Sequence, residues 1–176
     1  MNKIVLTFGL ISGAILSVMM VITQVVMDDI GFDKGEIIGY TTMILASMMV
    51  FFGVRSYRDN VAGGSLSFGK ALLVGLLIAL VANVCYVVTW EFIYFNITPD
   101  FMEKYAAYAI EKARASGATA QEIAKRTKEI DEMAVNYKNP LINVAYTFLE
   151  PLPVGLLASL LAAAVFRRKR SPVEAT

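Results

Sequence analysis

The stretch FGKALLVGLLIALVANVCYVVTWEFIYF, residues 68–95, contains only two charged side chains, Lys70 near its start and Glu91 near its end. A helix needs about 20 predominantly apolar residues to cross the hydrocarbon core of a bilayer. This run is longer than that, so it predicts a transmembrane helix and makes the bilayer part of the protein's solvent.

Three further apolar runs accompany it, at residues 4–26, 36–54 and 141–166. Of the 176 residues, 57% are hydrophobic, whereas soluble domains are about 45–50% apolar. The first run is longer than the roughly 7–15 apolar residues of a signal peptide, so we interpret it as a retained anchor. The sequence therefore predicts an all-α membrane protein, a single membrane domain over residues 1–176 with four transmembrane helices.

The composition argues against most catalytic and metal chemistry. The chain has no histidine and one cysteine, Cys85, and its formal net charge is +1. Histidine is the commonest general base and metal ligand, and a lone cysteine forms neither a thiolate cluster nor an intramolecular disulfide. We therefore expect a protein that is not an enzyme, with no catalytic residue, cofactor, metal ion or nucleic-acid partner.

The basic residues close to the four runs predict the orientation in the membrane, because short loops rich in lysine and arginine stay in the cytoplasm. With four spans, these residues all fall on one side: Lys3, Arg55, Arg58, Lys70 and the tail RRKR, residues 167–170. We therefore expect both termini in the cytoplasm, and residues 96–140 as an extracytoplasmic insertion between the third and fourth spans.

This insertion, residues 96–140, has the pattern of a helical hairpin. Thr98 followed by Pro99 predicts the start of one helix, and Thr119 with Glu122 is a capping-box pattern that opens a second. Two interpretations follow: a solvated hairpin that lies on the membrane ends of the spans, or a surface that binds a protein partner.

Two acidic residues lie near the outer end of the apolar runs, Glu91 in the third and Glu150 in FLEPLPVG, residues 148–155. Because proline disfavours helical geometry in the residue before it and suits the first turn of a helix, we expect Glu150 to cap a helix that begins at Pro151. Carboxylates within a membrane often mark ion paths. Glu91 and Glu150 therefore predict either interfacial acids or, if they face each other, a proton or cation site.

Small residues recur at every fourth position in three of the runs: Gly9, Gly13 and Ser17; Ala71, Gly75 and Ala79; and Gly155, Ser159 and Ala163. Such stripes let helix backbones approach closely. They favour packing within one four-helix bundle, with homo-oligomerisation as the alternative.

The loop GVRSYRDNVAGGSLSFGKALLVG, residues 53–75, reads as a basic hinge. In it we expect Gly53 to end one helix, Gly63 and Gly64 to form the turn and Ser67 to cap the next span. Its arginines, like the basic tail, suit the headgroups of anionic lipids.

This loop, FLEPLPVG and the arginine-rich tail together resemble a bacterial membrane family called domain of unknown function 4199. The resemblance implies four spans in the bacterial cytoplasmic (inner) membrane and supplies no reaction, substrate or cofactor. The residues that carry its motifs are Arg55, Tyr57, Arg58, Gly64, Phe68, Gly69, Glu150 and Pro151.

Two functions follow from these features. The first is a non-enzymatic accessory or protein-interaction subunit whose partner meets the hairpin of residues 96–140. The alternative is a small oligomeric transporter, or a proton or cation pathway, that uses the carboxylates of Glu91 and Glu150.

The orientation is testable by cysteine labelling in a Cys85→Ser background. Ser116→Cys, in the insertion, should react with a membrane-impermeant maleimide added to intact cells, because that segment is expected outside. Ser65→Cys should react only after permeabilisation. The reverse pattern would overturn the predicted orientation.

Overall fold

The structure is a computed structural model that describes residues 1–167, and these residues form helices and connecting turns without any strand. The helices are α1 (Asn2–Val25), α2 (Met27–Ile30), α3 (Phe32–Asn60), α4 (Phe68–Asn96), α5 (Phe101–Ala115), α6 (Ala120–Tyr137), α7 (Pro140–Leu149) and α8 (Leu152–Phe166). The predicted all-helical class is confirmed.

Four segments are long and apolar enough to cross a membrane: α1, α3, α4, and α7 together with α8. No more than 39% of the most apolar window of any of them is buried inside the structure. Large apolar side chains therefore point outward along the spans, among them Val25, Val88 and Leu141. An outward apolar surface of this kind is stable in lipid, which supports the prediction of a multi-pass membrane protein.

Helices α3 and α4 form the centre of the bundle, and each of them packs against both α1 and α8. Buried polar bonds join neighbouring helices. The Ser12 hydroxyl donates to the carbonyl oxygen of Ala46 over 2.9 Å, and the Thr89 hydroxyl donates to Ser17 over 2.7 Å. These bonds tie α1 to both central helices.

The predicted small-residue stripes lie at contacts within the bundle. A Cβ added to Gly9 would lie 2.6 Å from Cβ of Val81, and one added to Gly75 would lie 3.0 Å from Cβ of Ser159. Both distances are shorter than an ordinary carbon contact. Glycine therefore permits the close approach of α1 to α4 and of α4 to α8.

The loop between α3 and α4 follows the prediction in two of three respects. Gly63 and Gly64 have φ of 62° and 79°, and the Ser67 hydroxyl accepts from the backbone N–H of Lys70. The expectation that Gly53 ends its helix is wrong, since α3 continues to Asn60. Gly53 is instead a packing position, where an added Cβ would lie 3.2 Å from Cβ of Phe8.

Helices α5 and α6 form the predicted hairpin, which packs on one end of the bundle, here called the hairpin end. The ring of Phe32, at the start of α3, stacks on Tyr108 with centroids 5.0 Å apart and meets Phe101 edge-on at 5.7 Å. At α6 the predicted capping box of Thr119 and Glu122 is present.

The expected cap at Thr98 is wrong. Helix α5 begins at Phe101, its N-cap residue is Asp100, and no side chain caps it. The Thr98 hydroxyl is buried without a hydrogen-bond partner. The carbonyl oxygen of this residue accepts from the N–H of Phe101 and closes a turn before α5.

Substituting Gly9 tests the close packing of α1 on α4. Gly9→Ala should lower the free energy of unfolding by about 1–3 kcal/mol, because the added methyl group must displace Val81. The measurement is unfolding of the purified protein in detergent micelles, followed by circular dichroism.

The matched control is Gly39→Ala in α3, where an added Cβ would meet nothing within 4 Å. This variant should be unchanged or more stable by up to about 1 kcal/mol, because alanine favours the helix. Equal stability of the two variants would contradict the close packing of Gly9 against Val81.

Candidate functional site

The fourth span is broken at FLEPLPVG, between α7 and α8. Pro151 and Pro153 lack the backbone N–H groups that a continuous helix would need at these positions, so α7 ends at Leu149 and α8 begins at Leu152. The break leaves the carbonyl oxygen of Phe148 free to accept a hydrogen bond from the side-chain amide of Asn83, over 2.9 Å. The third span thus stabilises the broken end of the fourth.

The expectation that Glu150 caps the helix after the break is wrong. Pro151 is the N-cap residue of α8, and no side chain caps this helix. Glu150 has φ of −63° and ψ of −55°, which continue the helical geometry of α7, whereas an N-cap residue has extended geometry. Its carboxylate instead accepts a hydrogen bond of 2.8 Å from the hydroxyl of Tyr86.

A buried amide fixes α7 on the other side of this break. Asn143 is fully buried, and its side-chain oxygen accepts from the indole N–H of Trp90 and from the hydroxyl of Thr147, both over 3.1 Å. Its amide nitrogen donates to the carbonyl oxygen of Tyr137 over 3.2 Å. Asn143 therefore joins α4, α7 and the end of α6.

One face of α4 makes the contacts with Phe148, Glu150 and Asn143. Asn83, Tyr86 and Trp90 follow one another at spacings of three and four residues, which places them on the same side of a helix. They bind, respectively, the carbonyl of Phe148, the carboxylate of Glu150 and the side chain of Asn143. A single helical face thus positions both the break and the carboxylate.

A cavity of about 400 Å³ lies beside this face, at the hairpin end of the bundle. We call it the hairpin-end cavity. Eight aromatic side chains and six methionines line it, together with the carboxylates of Glu36 and Glu150. Among the described residues, its lining includes neither lysine nor arginine. The cavity is therefore aromatic, apolar and acidic.

The two acids predicted to share a site are not brought together. Glu150 interacts electrostatically with Glu36, which lines the same cavity. Glu91 does not line it; one of its carboxylate oxygens is buried elsewhere without a hydrogen-bond partner. Glu36 lies beside Glu150 where Glu91 was expected. The sequence signal that could have indicated Glu36 is its position at the start of the second apolar run.

The hairpin supplies one wall of the cavity through Phe101, Met102, Tyr105, Tyr108, Met133 and Tyr137. Burial, together with the negative charge of nearby Glu150, raises the pKa of Tyr137 to about 12. The phenol of Tyr137 therefore stays protonated at neutral pH and adds no charge to the cavity.

Exposed ion pairs hold the hairpin to the ends of α2 and α3. The ammonium of Lys104 lies 3.1 Å from the carboxylate of Asp28, and that of Lys112 binds both Asp33 and the hydroxyl of Tyr108. Hydrogen bonds with Asp33 and Tyr108 raise the pKa of Lys112 above its ordinary value. The positive charges of Lys104 and Lys112 are therefore paired with carboxylates outside the cavity.

A second cavity, of about 310 Å³, lies on the other side of the break, between residues of α1, α3, α4 and α8. Its lining is mostly apolar and includes Asn83 and Pro151. Leu16 and Met43 line both cavities. The two cavities are therefore neighbours, separated near the break that carries Glu150.

The residues that carry the family motif lie at both ends of the bundle. Glu150 and Pro151 are at the break, whereas Arg55, Tyr57, Arg58, Gly64, Phe68 and Gly69 surround the α3–α4 loop at the opposite end. There Arg58 lies 2.7 Å from Asp59 and stacks over the ring of Phe166 at 5.3 Å. Tyr57 is buried in the core.

Within residues 1–167, no three acidic or cysteine side chains lie close enough together to hold a metal ion. Of the basic tail predicted to meet lipid, Arg167 is exposed, and residues 168–170 lie outside the described part of the chain.

The chain matches the model of a family described as "Protein of unknown function (DUF4199)" over residues 7–168. The resemblance predicted from the loop and FLEPLPVG is thereby confirmed. The match spans every residue that lines the two cavities. No curated protein and no solved structure matches the chain.

The role of Asn143 is testable by Asn143→Leu. This change keeps the branched shape and the number of side-chain heavy atoms but removes the partners of the indole N–H of Trp90 and of the carbonyl of Tyr137. Because each unsatisfied buried polar group costs about 1–3 kcal/mol, we expect a loss of about 2 kcal/mol or more in the free energy of unfolding. Chemical unfolding followed by the fluorescence of Trp90, the only tryptophan, measures it.

The control is Asn136→Leu, on the exposed surface of α6, which should change the stability little. If the two variants were equally stable, the buried amide would have no structural role.

Proposed function

Because this chain belongs to the family described as protein of unknown function (DUF4199), we propose its function from the geometry of its own cavities. The protein is a non-enzymatic integral membrane protein that binds a cation in the hairpin-end cavity. It acts as a small proton-coupled transporter or proton pathway.

One observation carries this proposal: the carboxylate of Glu150 lies in a cavity with a second carboxylate, and the residues from 1 to 167 that line it include no basic one. An acidic side chain near the hydrocarbon is costly and commonly marks an ion or proton path. The hydroxyl of Tyr86 donates a hydrogen bond to Glu150 but carries no positive charge. It therefore does not neutralise the carboxylate of Glu36 or of Glu150. The missing positive charge is then supplied by the ligand.

The arrangement of the cavities supports a path rather than a closed binding site. The hairpin-end cavity and the second cavity share Leu16 and Met43. Between them lies the helix break, where backbone geometry departs from a regular helix. Broken helices at membrane depth are tolerated where they line a cavity, and transporters use them at their binding sites.

The same geometry supports the interaction-subunit hypothesis less well. The buried residues of the hairpin, Met102, Ala109, Ala113 and Ile130, pack within this chain. The other face of α6 carries exposed ion pairs of Lys125 with Glu129 and of Lys128 with Glu132. Little apolar hairpin surface is left to bind a protein partner.

We propose the orientation expected from the sequence, with both termini in the cytoplasm of a bacterium and the hairpin outside its inner membrane. Lys3, Arg55, Arg58, Lys70 and Arg167 all belong to the end of the bundle away from the hairpin. In this orientation their charges meet anionic lipid headgroups, and the hairpin-end cavity faces the outside.

Reconstitution into vesicles tests the pathway. The vesicles contain potassium and the outer buffer does not, so valinomycin makes the interior negative. The wild-type protein should then admit protons, reported by an enclosed pH-sensitive dye. Glu150→Gln should reduce the initial rate at least about tenfold, because it removes an attraction worth a few kcal/mol in a partly screened site.

The matched control is Glu91→Gln, which removes an acid of the same helix bundle that does not line the cavity. Its rate should equal that of the wild type. A wild-type rate no higher than that of protein-free vesicles would overturn the proposed pathway, and so would equal losses in the two variants.

A further inference from the structure

The walls of the hairpin-end cavity have the chemistry of a site for a ligand with an apolar body. Its volume of about 400 Å³ lies within the range of about 300–1,000 Å³ that is usual for small-molecule pockets. Tyr40, Tyr86, Trp90 and Tyr137 are among the aromatic rings that line it. Aromatic side chains offer large, rigid apolar contact surfaces.

Methionine adds adaptability to these walls. Six methionines line the cavity, among them Met20 of α1, Met43 of α3 and Met133 of α6, so they come from three different helices. The unbranched, polarisable thioether fills irregular gaps and is frequent at surfaces that accept ligands of varied shape. The cavity therefore suits an apolar body of adaptable outline.

The charged and aromatic groups that line the cavity favour a positively charged ligand. Glu36 and Glu150 are its two acids, and the described residues that line it contribute no basic side chain. Aromatic faces also attract cations, most strongly when the cation is poorly hydrated. The carboxylates and the ring faces thus favour the same sign of charge on the ligand.

A bare metal ion uses few of these features. Such ions need several oxygen ligands around one point, and no three acidic or cysteine side chains within residues 1–167 cluster in this way. A small ion would also leave the aromatic and thioether walls without contact.

From this combination we infer that the hairpin-end cavity binds a lipophilic organic cation, with its charge between Glu36 and Glu150 and its apolar body against the aromatic and methionine walls. The inference rests on the proposed function only in taking this cavity as the binding site.

Binding of tetraphenylphosphonium to the purified full-length protein in detergent micelles tests the inference. Trp90 is the only tryptophan of the chain and lines the cavity, so its emission reports occupancy directly. Equilibrium dialysis of the radiolabelled cation provides a second readout that does not depend on fluorescence. We expect saturable binding at one site per chain in both measurements.

Charge is separated from hydrophobicity by tetraphenylborate, an anion of nearly the same shape. It should neither bind saturably nor compete with the cation. Glu36→Gln and Glu150→Gln should each weaken cation binding by roughly tenfold or more, because each removes one attractive charge from the site. Glu91→Gln should bind as the wild type does, and size-exclusion profiles verify that all variants are folded.

The outcomes separate the ligand class from the pathway. Proton flux that depends on Glu150, without saturable cation binding, would overturn the inference and leave the pathway intact. Saturable cation binding without flux would support the inference and overturn the pathway. Equal binding of the anion, or no change in Glu36→Gln and Glu150→Gln, would show that apolar contact alone holds the probe and would overturn the inference.

Discussion

Two prolines in the fourth span impose the constraint on which the rest of the structure depends. Inside a membrane, backbone polar groups must find partners within the protein, because lipid offers none. Pro151 and Pro153 break the helix, and the side chain of Asn83 supplies a donor to the carbonyl of Phe148. Once this bond is made, the register of α7 and α8 against α4 is fixed.

The position of the acidic cavity follows from that register. Tyr86 lies one helical turn beyond Asn83, so it meets the residue after the end of α7, which is Glu150. Trp90 lies one turn further and meets Asn143. The same three contacts therefore stabilise the break, position the carboxylate of Glu150 in the cavity and connect α4 to the end of the hairpin. Structural support and the candidate binding site share one face of one helix.

Features encoded by local patterns could be predicted from the sequence. The four spans follow from apolar length, the α3–α4 turn from its two glycines, and the start of α6 from Thr119 and Glu122. Features that depend on tertiary contacts could not. A glycine that packs inside a helix, such as Gly53, has the same local pattern as one that ends it. Depth along a helix placed Glu91 and Glu150 together, but depth does not define the direction in which a side chain points, and Glu36 occupies the shared cavity instead.

The hairpin is held to the bundle by two kinds of force that respond differently to the medium. Its aromatic contacts with Phe32 join uncharged rings and are not weakened by charge screening. The bonds of Lys104 and Lys112 to Asp28 and Asp33 join side chains that are between 44% and 78% exposed, and charges exposed to this degree are screened over about 8 Å at physiological ionic strength. The wall that the hairpin contributes to the cavity is therefore held more loosely in concentrated salt than in dilute solution. The position of this wall beside Glu36 and Glu150 thus depends on the ionic strength on the side of the membrane that the hairpin faces.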